Sequence, residues 1–448
     1  MLAWKRIWLW LFGLGVLLAA CGPMTPFPTQ PAEHTAAVRP SPTPTATRTP
    51  VPTPTPQGAP PDDVAQALDA IEAQVRTLRG VQQAPGLSRV MLSPKDLQAK
   101  VEALQREEAA VRPNAWAWQA LDLIPRDYDL EAALSAPPEA PWAVYDPQQQ
   151  TIYFTAPQGV TGPLRLAYAY AYAQALQAQA YALPSCDAHL DRCLALQALA
   201  TGDALYTEYL WFFAYATQQD RDDVAAFYAS DEPSAPVPLA VAKQQRFAYD
   251  YGYAFIQNLF QQNGWASVAQ AFATPPVSTE QILAPDAYPA DVPQEVALPQ
   301  GAPLGEAWEE VARGEMGAWL LYLMLTASQH PDARLPTGET LDLLQGWGGG
   351  AWVVFRQPDS QALALAVDVR WDSNDATVAF VKAFVKYARG RFGPLTDRDR
   401  GYRTLMWESD AGAAMLYYNT GARRTIWAFA PTRASAQTLV QWLTPASP

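Results

Sequence analysis

Residues 22–61 set the first limit on what this chain can fold into. Thirteen of these 40 residues are proline, most alternating with Thr or Ser, as in Pro40-Ser41-Pro42-Thr43-Pro44 and Pro50-Val51-Pro52-Thr53-Pro54-Thr55-Pro56. Proline fixes φ and has no amide donor, so the segment builds no packed core and favours extended polyproline II. At about 3.1 Å per residue it reaches on the order of 120 Å. Packed structure therefore begins beyond it, near Asp62.

Ahead of this tether, Lys5 and Arg6 precede an uncharged apolar run of 14 residues, 7–20. A membrane-spanning helix needs roughly 20; a secretory signal core needs fewer. The run ends in Leu18-Ala19-Ala20-Cys21-Gly22, which resembles the lipobox of bacterial lipoproteins. That resemblance implies cleavage after residue 20 and a lipid on Cys21, with 21–61 as the lipidated linker. Each buried acyl methylene contributes about 0.8 kcal/mol, so two or more chains anchor stably. The expected location is the cell envelope, at the outer face of a membrane. The bilayer is then the first partner, reached through the Cys21 lipid.

The net charge of −13 argues against nucleic acid as a partner. With Cys21 lipidated, Cys186 and Cys193 form an isolated pair, a disulfide candidate in an oxidising compartment. Both cannot lie on one helix, because seven residues of helix separate the α-carbons by about 10.5 Å. Pro184-Ser185 reads as a loop, so Cys186 is placed ahead of a helix that carries Cys193. Two buried thiols are the alternative.

Periodicity organises the rest. Val64, Leu68, Ile71, Val75 and Leu78 share one helical face, with Asp62 or Asp63 as cap and Gly80 as terminator. A second helix is expected over 93–110. Trp142-Ala143-Val144-Tyr145 and Thr151-Ile152-Tyr153-Phe154 flank a proline-containing turn and predict a hairpin. A long helical stretch follows from Pro163 to about His330. The glycines of Gln345-Gly346-Trp347-Gly348-Gly349-Gly350 read as a hinge, after which the period becomes that of strands. Strands are expected over 351–355, 363–371, 403–407, 414–418 and 425–429, with helices over 374–388 and 434–443. The fold class is α+β: a mainly helical domain with a small hairpin over 62–345, then a smaller α+β domain with an antiparallel sheet over 346–448.

Hydrolytic zinc needs imidazole or carboxylate ligands and an open position. The three histidines, His34, His189 and His330, are far apart, and H-E-x-x-H and G-x-S-x-G are both absent. Several segments nevertheless resemble the bacterial HExxH, gluzincin-like metallopeptidase lipoproteins. Tyr170-Ala171-Tyr172-Ala173-Gln174-Ala175-Leu176-Gln177-Ala178-Gln179 is similar to their zinc helix. Leu196-Gln197-Ala198-Leu199-Ala200-Thr201-Gly202-Asp203-Ala204 is similar to their third-ligand helix. Val144-Tyr145-Asp146-Pro147, Gly264-Trp265 and Pro275-Pro276-Val277-Ser278-Thr279-Glu280-Gln281-Ile282-Leu283 follow the family's order. On this resemblance Tyr170 and Gln174 replace the two histidines, Ala171 the catalytic glutamate and Thr201 the third ligand. Ala284 stands where a further histidine is usual. The resemblance thus implies a zincin-like domain with no catalytic residues, no metal and no cofactor. Leu164, Tyr168, Tyr172, Leu176 and Gln179 also read simply as a core stripe.

The function expected is a non-catalytic envelope lipoprotein that uses a decayed cleft for binding or scaffolding, with a peptide, protein or cell-wall ligand. Two alternatives are carried beside it: a carbohydrate or cell-wall binder using the 16 Trp and 20 Tyr, and a hydrolase with a relocated carboxylate site drawn from Asp203, Glu208, Asp250 and Glu280. Cys21→Ala is expected to move the chain from the membrane to the soluble fraction; retention on membranes would count against the anchor.

Overall fold

A computed structural model describes residues 60–83, 86–108, 112–135, 141–184, 186, 189–229, 237–399, 401 and 403–444. Cys21 and all but the last two residues of the proline-rich tether lie outside the described residues. The fold is α+β. No helix among the described residues is long and apolar enough to cross a membrane.

Helix α1, Asp62–Arg79, buries Val64, Leu68, Ile71 and Val75, the face expected from their spacing. Pro61 occupies the cap position, and Asp62 and Asp63 stand in the first turn, where they favour the helix dipole. Gly80 closes the helix at φ +66. Strand β1, Ser88–Met91, and helix α2, Pro94–Glu108, follow. Then come α3, Ala115–Ala120, capped by Asn114, and α4, Leu130–Ser135. The expected hairpin is β2, Ala143–Asp146, with β3, Thr151–Phe154. β1 adds to it in parallel, a pairing across sixty residues that local periodicity does not signal.

Helices α5, Gly162–Ala180, and α6, Leu190–Tyr215, follow the hairpin, then α7, Gln218–Ala229, and α8, Leu239–Ala273. On α5, Leu164, Tyr168, Tyr172 and Leu176 are buried as a core stripe, while Gln179 is exposed. Helix α8 is broken at Asn263–Gly264, where Gly264 takes φ +59. Helices α6 and α8 touch backbone to backbone. A Cβ on Gly202 would lie 2.1 Å from the Gly252 carbonyl oxygen, and one on Gly252 would lie 2.2 Å from that of Ala198. The short α9, Thr279–Leu283, follows.

The second sheet has seven strands in the order β4-β5-β6-β10-β9-β8-β7. They are β4, Glu309–Glu315, β5, Trp347–Gln357, β6, Ala362–Trp371, β7, Asp397–Asp399, β8, Thr404–Ser409, β9, Gly412–Asn419, and β10, Arg424–Ala430. Every neighbouring pair is antiparallel. Helices α10, Ala318–Ala327, and α11, Thr337–Leu344, lie between β4 and β5; α12, Asn374–Phe392, follows β6, and α13, Arg433–Leu443, follows β10. Alternation assigns the faces. Trp427 and Phe429 join Phe380, Phe384 and Phe392 of α12 in one core, while Ile426, Ala428 and Ala430 join Leu439, Val440 and Leu443 of α13 in another.

Two expectations change here. The sheet begins at Glu309, ahead of the break expected at 345/346, and one continuous core joins Leu199 and Phe255 of the helical body to Val367 and Trp427 of the sheet. The glycine run is no hinge. Trp347 to Gly350 start β5, with a bulge between Trp347 and Gly349. Glycine is required there because neighbouring segments press close: a Cβ on Gly349 would lie 2.3 Å from the Gln294 carbonyl oxygen, at φ +128.

Gly202→Ala is expected to cost about 1–3 kcal/mol of stability by overpacking the α6–α8 contact. Gly338→Ala, in open space at the start of α11, should be neutral or stabilising by up to about 1 kcal/mol from helix propensity. Chemical denaturation of the two variants checks this.

Candidate functional site

The positions assigned to a former zinc site lie on α5 and α6. Tyr170, Gln174 and Thr201 are half-buried and Ala171 is fully buried. Tyr170 and Gln174, four residues apart on one face, do meet: Gln174 Nε2 donates to Tyr170 Oη at 3.5 Å. A phenol, an amide, a methyl and a threonine hydroxyl make a poor zinc set beside imidazole and carboxylate.

One turn along, the facing surfaces of α5 and α6 are tied together. Gln177 Nε2 donates to Asp203 Oδ2 at 2.6 Å and to the Ala200 carbonyl at 2.9 Å. Arg79, at the end of α1, pairs with Asp203 and donates to Thr207 Oγ1 at 3.0 Å. Its guanidinium lies over the Trp265 ring, 4.0 Å from the centroid, and Trp265 Nε1 donates to the Leu78 carbonyl at 2.7 Å. Asp203 and Thr207 are wholly buried. A buried pair with both carboxylate oxygens engaged fixes docking geometry; removing one partner typically costs about 3–5 kcal/mol. Asp203 is therefore a structural anchor for α1. Asp250 forms a part-exposed ion pair with Arg246, one turn away.

Glu208 differs from both. It is buried, and its Oε1 has no hydrogen-bond partner. Desolvation alone pushes its carboxyl well above the usual range.

The fourth candidate, Glu280, sits in a different constellation. Ser278 Oγ caps the short α9 by accepting from Gln281 N. Thr279 N donates to Asp191 Oδ2 at 2.9 Å, and the Thr279 hydroxyl donates to the same carboxylate. Asp191, at the start of α6, thus fixes the helix that carries Glu280. Burial raises the Asp191 carboxyl to about 6. Glu280 Oε1 accepts from Trp347 N at 3.1 Å. Beside it lie Asp291, in the segment after α9, and Asp372, just beyond β6, and one oxygen from each of the three lies within 4.8 Å of the others. Glu280 is pushed up to about 9 by burial and then by the charges of Asp291 and Asp372. Burial raises Asp291, and burial followed by the Asp291 charge raises Asp372, against the pull of Arg423. Sequence reasoning named Glu280 but not Asp291 or Asp372. The available signal was the glycine run: a Cβ on Gly348 would lie 2.7 Å from Asp372 Oδ1.

Cys186 and Cys193 are not joined, contrary to the expected disulfide. Cys186 lies exposed in the loop and Cys193 is buried in the first turn of α6, so their side chains face different surroundings. His189 and His330 are held separately at the surface, His189 Nδ1 2.6 Å from Glu315 Oε1 and His330 Nδ1 2.7 Å from Asp122 Oδ2, and His34 lies outside the described residues.

The segment from just before β4 into α13 has a relative. Residues 305–440 match the family model of a domain of unknown function, DUF8575. The DUF8575-like stretch takes in the whole seven-stranded sheet, and it supplies Asp372 but neither Glu280 nor Asp291. No curated protein and no solved structure matches the chain.

A carboxyl raised by burial holds its proton in the folded chain above the pH at which the unfolded chain, near 4.5, releases it. That contribution to stability is fully present below pH 4.5 and is lost as pH rises. Glu208→Gln should therefore gain stability relative to the wild type between pH 4.5 and 8, as read from urea denaturation at both pH values. An unchanged difference would mean that Glu208 ionises normally.

Proposed function

We propose that this chain is a membrane-tethered, extracytoplasmic lipoprotein whose helical body is a non-catalytic relative of the gluzincin-like peptidases and serves binding or scaffolding. The observation that carries this reading is the content of the α5–α6 site. Tyr170, Ala171, Gln174 and Thr201 supply neither zinc ligands nor a base, and the Arg79–Asp203–Gln177 network fills the next turn. Without an imidazole or carboxylate set there is nothing to hold zinc or to activate water.

Beside the helical body, one cavity offers little room for a small ligand. Lined by Trp118, Leu190, Leu194, Gln244 and Trp319, it measures about 20 Å³, room for little more than one water. The carbohydrate alternative loses much of its basis, because Trp118, Trp211, Trp319, Trp371, Trp407 and Trp427 are all core residues. Among the relocated-carboxylate candidates, Asp203 and Asp250 are ion-paired and Glu208 is buried with one oxygen that accepts no hydrogen bond. One oxygen from each of Glu280, Asp291 and Asp372 lies within 4.8 Å of the others, whereas glycosidase carboxyls flank a bond about 5–9.5 Å apart.

The test is zinc content by mass spectrometry on the purified full-length chain in detergent, with a casein digestion in added zinc. The expected result is no stoichiometric zinc and intact casein. Zinc near one per chain with casein cleavage would overturn the reading.

A further inference from the structure

We propose that Glu280, Asp291 and Asp372 hold a Ca²⁺ ion that joins the helical body to the seven-stranded sheet. The site draws on three segments remote in sequence: α9, the segment that follows it, and the turn between β6 and α12. One oxygen from each lies within 4.8 Å of the other two. Ca²⁺ binds oxygen at about 2.3–2.6 Å, so two of its ligands stand at most about 4.6–5.2 Å apart. The three oxygens already lie within that span of one another.

Proximity of acids alone does not make a site; unsatisfied oxygens do. The Glu280 residue is wholly buried. Its Oε1 accepts from Trp347 N at 3.1 Å, and its Oε2, buried equally, accepts nothing. Asp372 Oδ2 is likewise buried with no hydrogen-bond partner. A carboxylate oxygen removed from water without a donor is costly, and three carboxylates facing one another add repulsion. No salt bridge relieves any of the three among the described residues. Arg423, whose field acts on Asp372, is exposed and donates to the Asp372 main-chain oxygen at 2.8 Å. Asp191 adds a further negative charge behind Glu280. A bound cation removes both the repulsion and the unmet acceptors.

The donor set selects the ion. All-oxygen ligation favours a hard cation and disfavours zinc or copper. Mg²⁺ keeps several waters and takes one or two carboxylates, whereas Ca²⁺ accepts several protein oxygens in an irregular shell. Half-exposed Asp291 and Asp372 leave a path for entry and room for water ligands. Glycine at 348 lets the β5 backbone pass this close to Asp372.

The test uses the full-length chain in detergent, stripped with EDTA and titrated with CaCl₂ or MgCl₂, read by calorimetry and thermal melting. One Ca²⁺ per chain is expected, with a melting temperature that rises with Ca²⁺ and falls back with EDTA. Mg²⁺ at equal concentration should shift it less. Asp291→Asn and Asp372→Asn should each weaken Ca²⁺ by tenfold or more. In EDTA both should melt at or above the stripped wild type, because each removes repulsion; this reading separates lost ligation from lost folding. Absence of Ca²⁺ binding by the wild type, tighter binding of Mg²⁺, or Ca²⁺ affinity unchanged in both variants would overturn the proposal.

Discussion

The approach of α6 to α8 governs the rest of the molecule. At Gly202 and Gly252 the two backbones touch, with no side chain between them. That contact sets the axis of α6, and α6 carries residues used elsewhere. Asp191 at its first turn fastens Thr279 and so orients α9. Asp203 in its middle receives Arg79 from α1 and Gln177 from α5. Helix α6 thus orders α1 on one side and the carboxylate cluster on the other. Two helices held at van der Waals distance of their main chains leave no groove between them at that contact.

Much of this was legible from residue spacing. Val64 to Val75 and the Gly80 terminator defined α1, and strand-length apolar runs with intervening turns located most of the second sheet. What escaped depended on contacts remote in sequence. The segment Glu309–Glu315 is too polar to announce a strand, and it becomes one because β5 offers an unpaired edge. The glycines at 348–350 resemble a hinge in sequence, because close backbone approach and flexibility require the same residue. The disulfide expectation followed from compartment and loop length, which do not determine where side chains point.

The candidate site was legible only in its negative half. That Tyr170, Ala171, Gln174 and Thr201 offer neither imidazole nor carboxylate is visible in one dimension. The gathering of Glu280, Asp291 and Asp372 is not, since about ninety residues separate its ends and the sheet must form before they meet. Glu280 illustrates the limit: its sequence neighbourhood marks a short capped helix, and only its burial against β5 separates it from an ordinary surface acid.

The edges of the large sheet have a consequence for crowding. Its outermost strands are β4 and β7, and an open edge is a template for another chain. On β4, Glu310 pairs with Arg313 and Glu309 pairs with Arg356 of the neighbouring strand. On β7 only three residues pair, Asp397, Arg398 and Asp399, and Asp397 is also bound by Arg433. A second copy adding itself at either side would have to strip these ions of water and of their partners. Copies packed densely against one another can therefore collide edge to edge without zipping into a fibre.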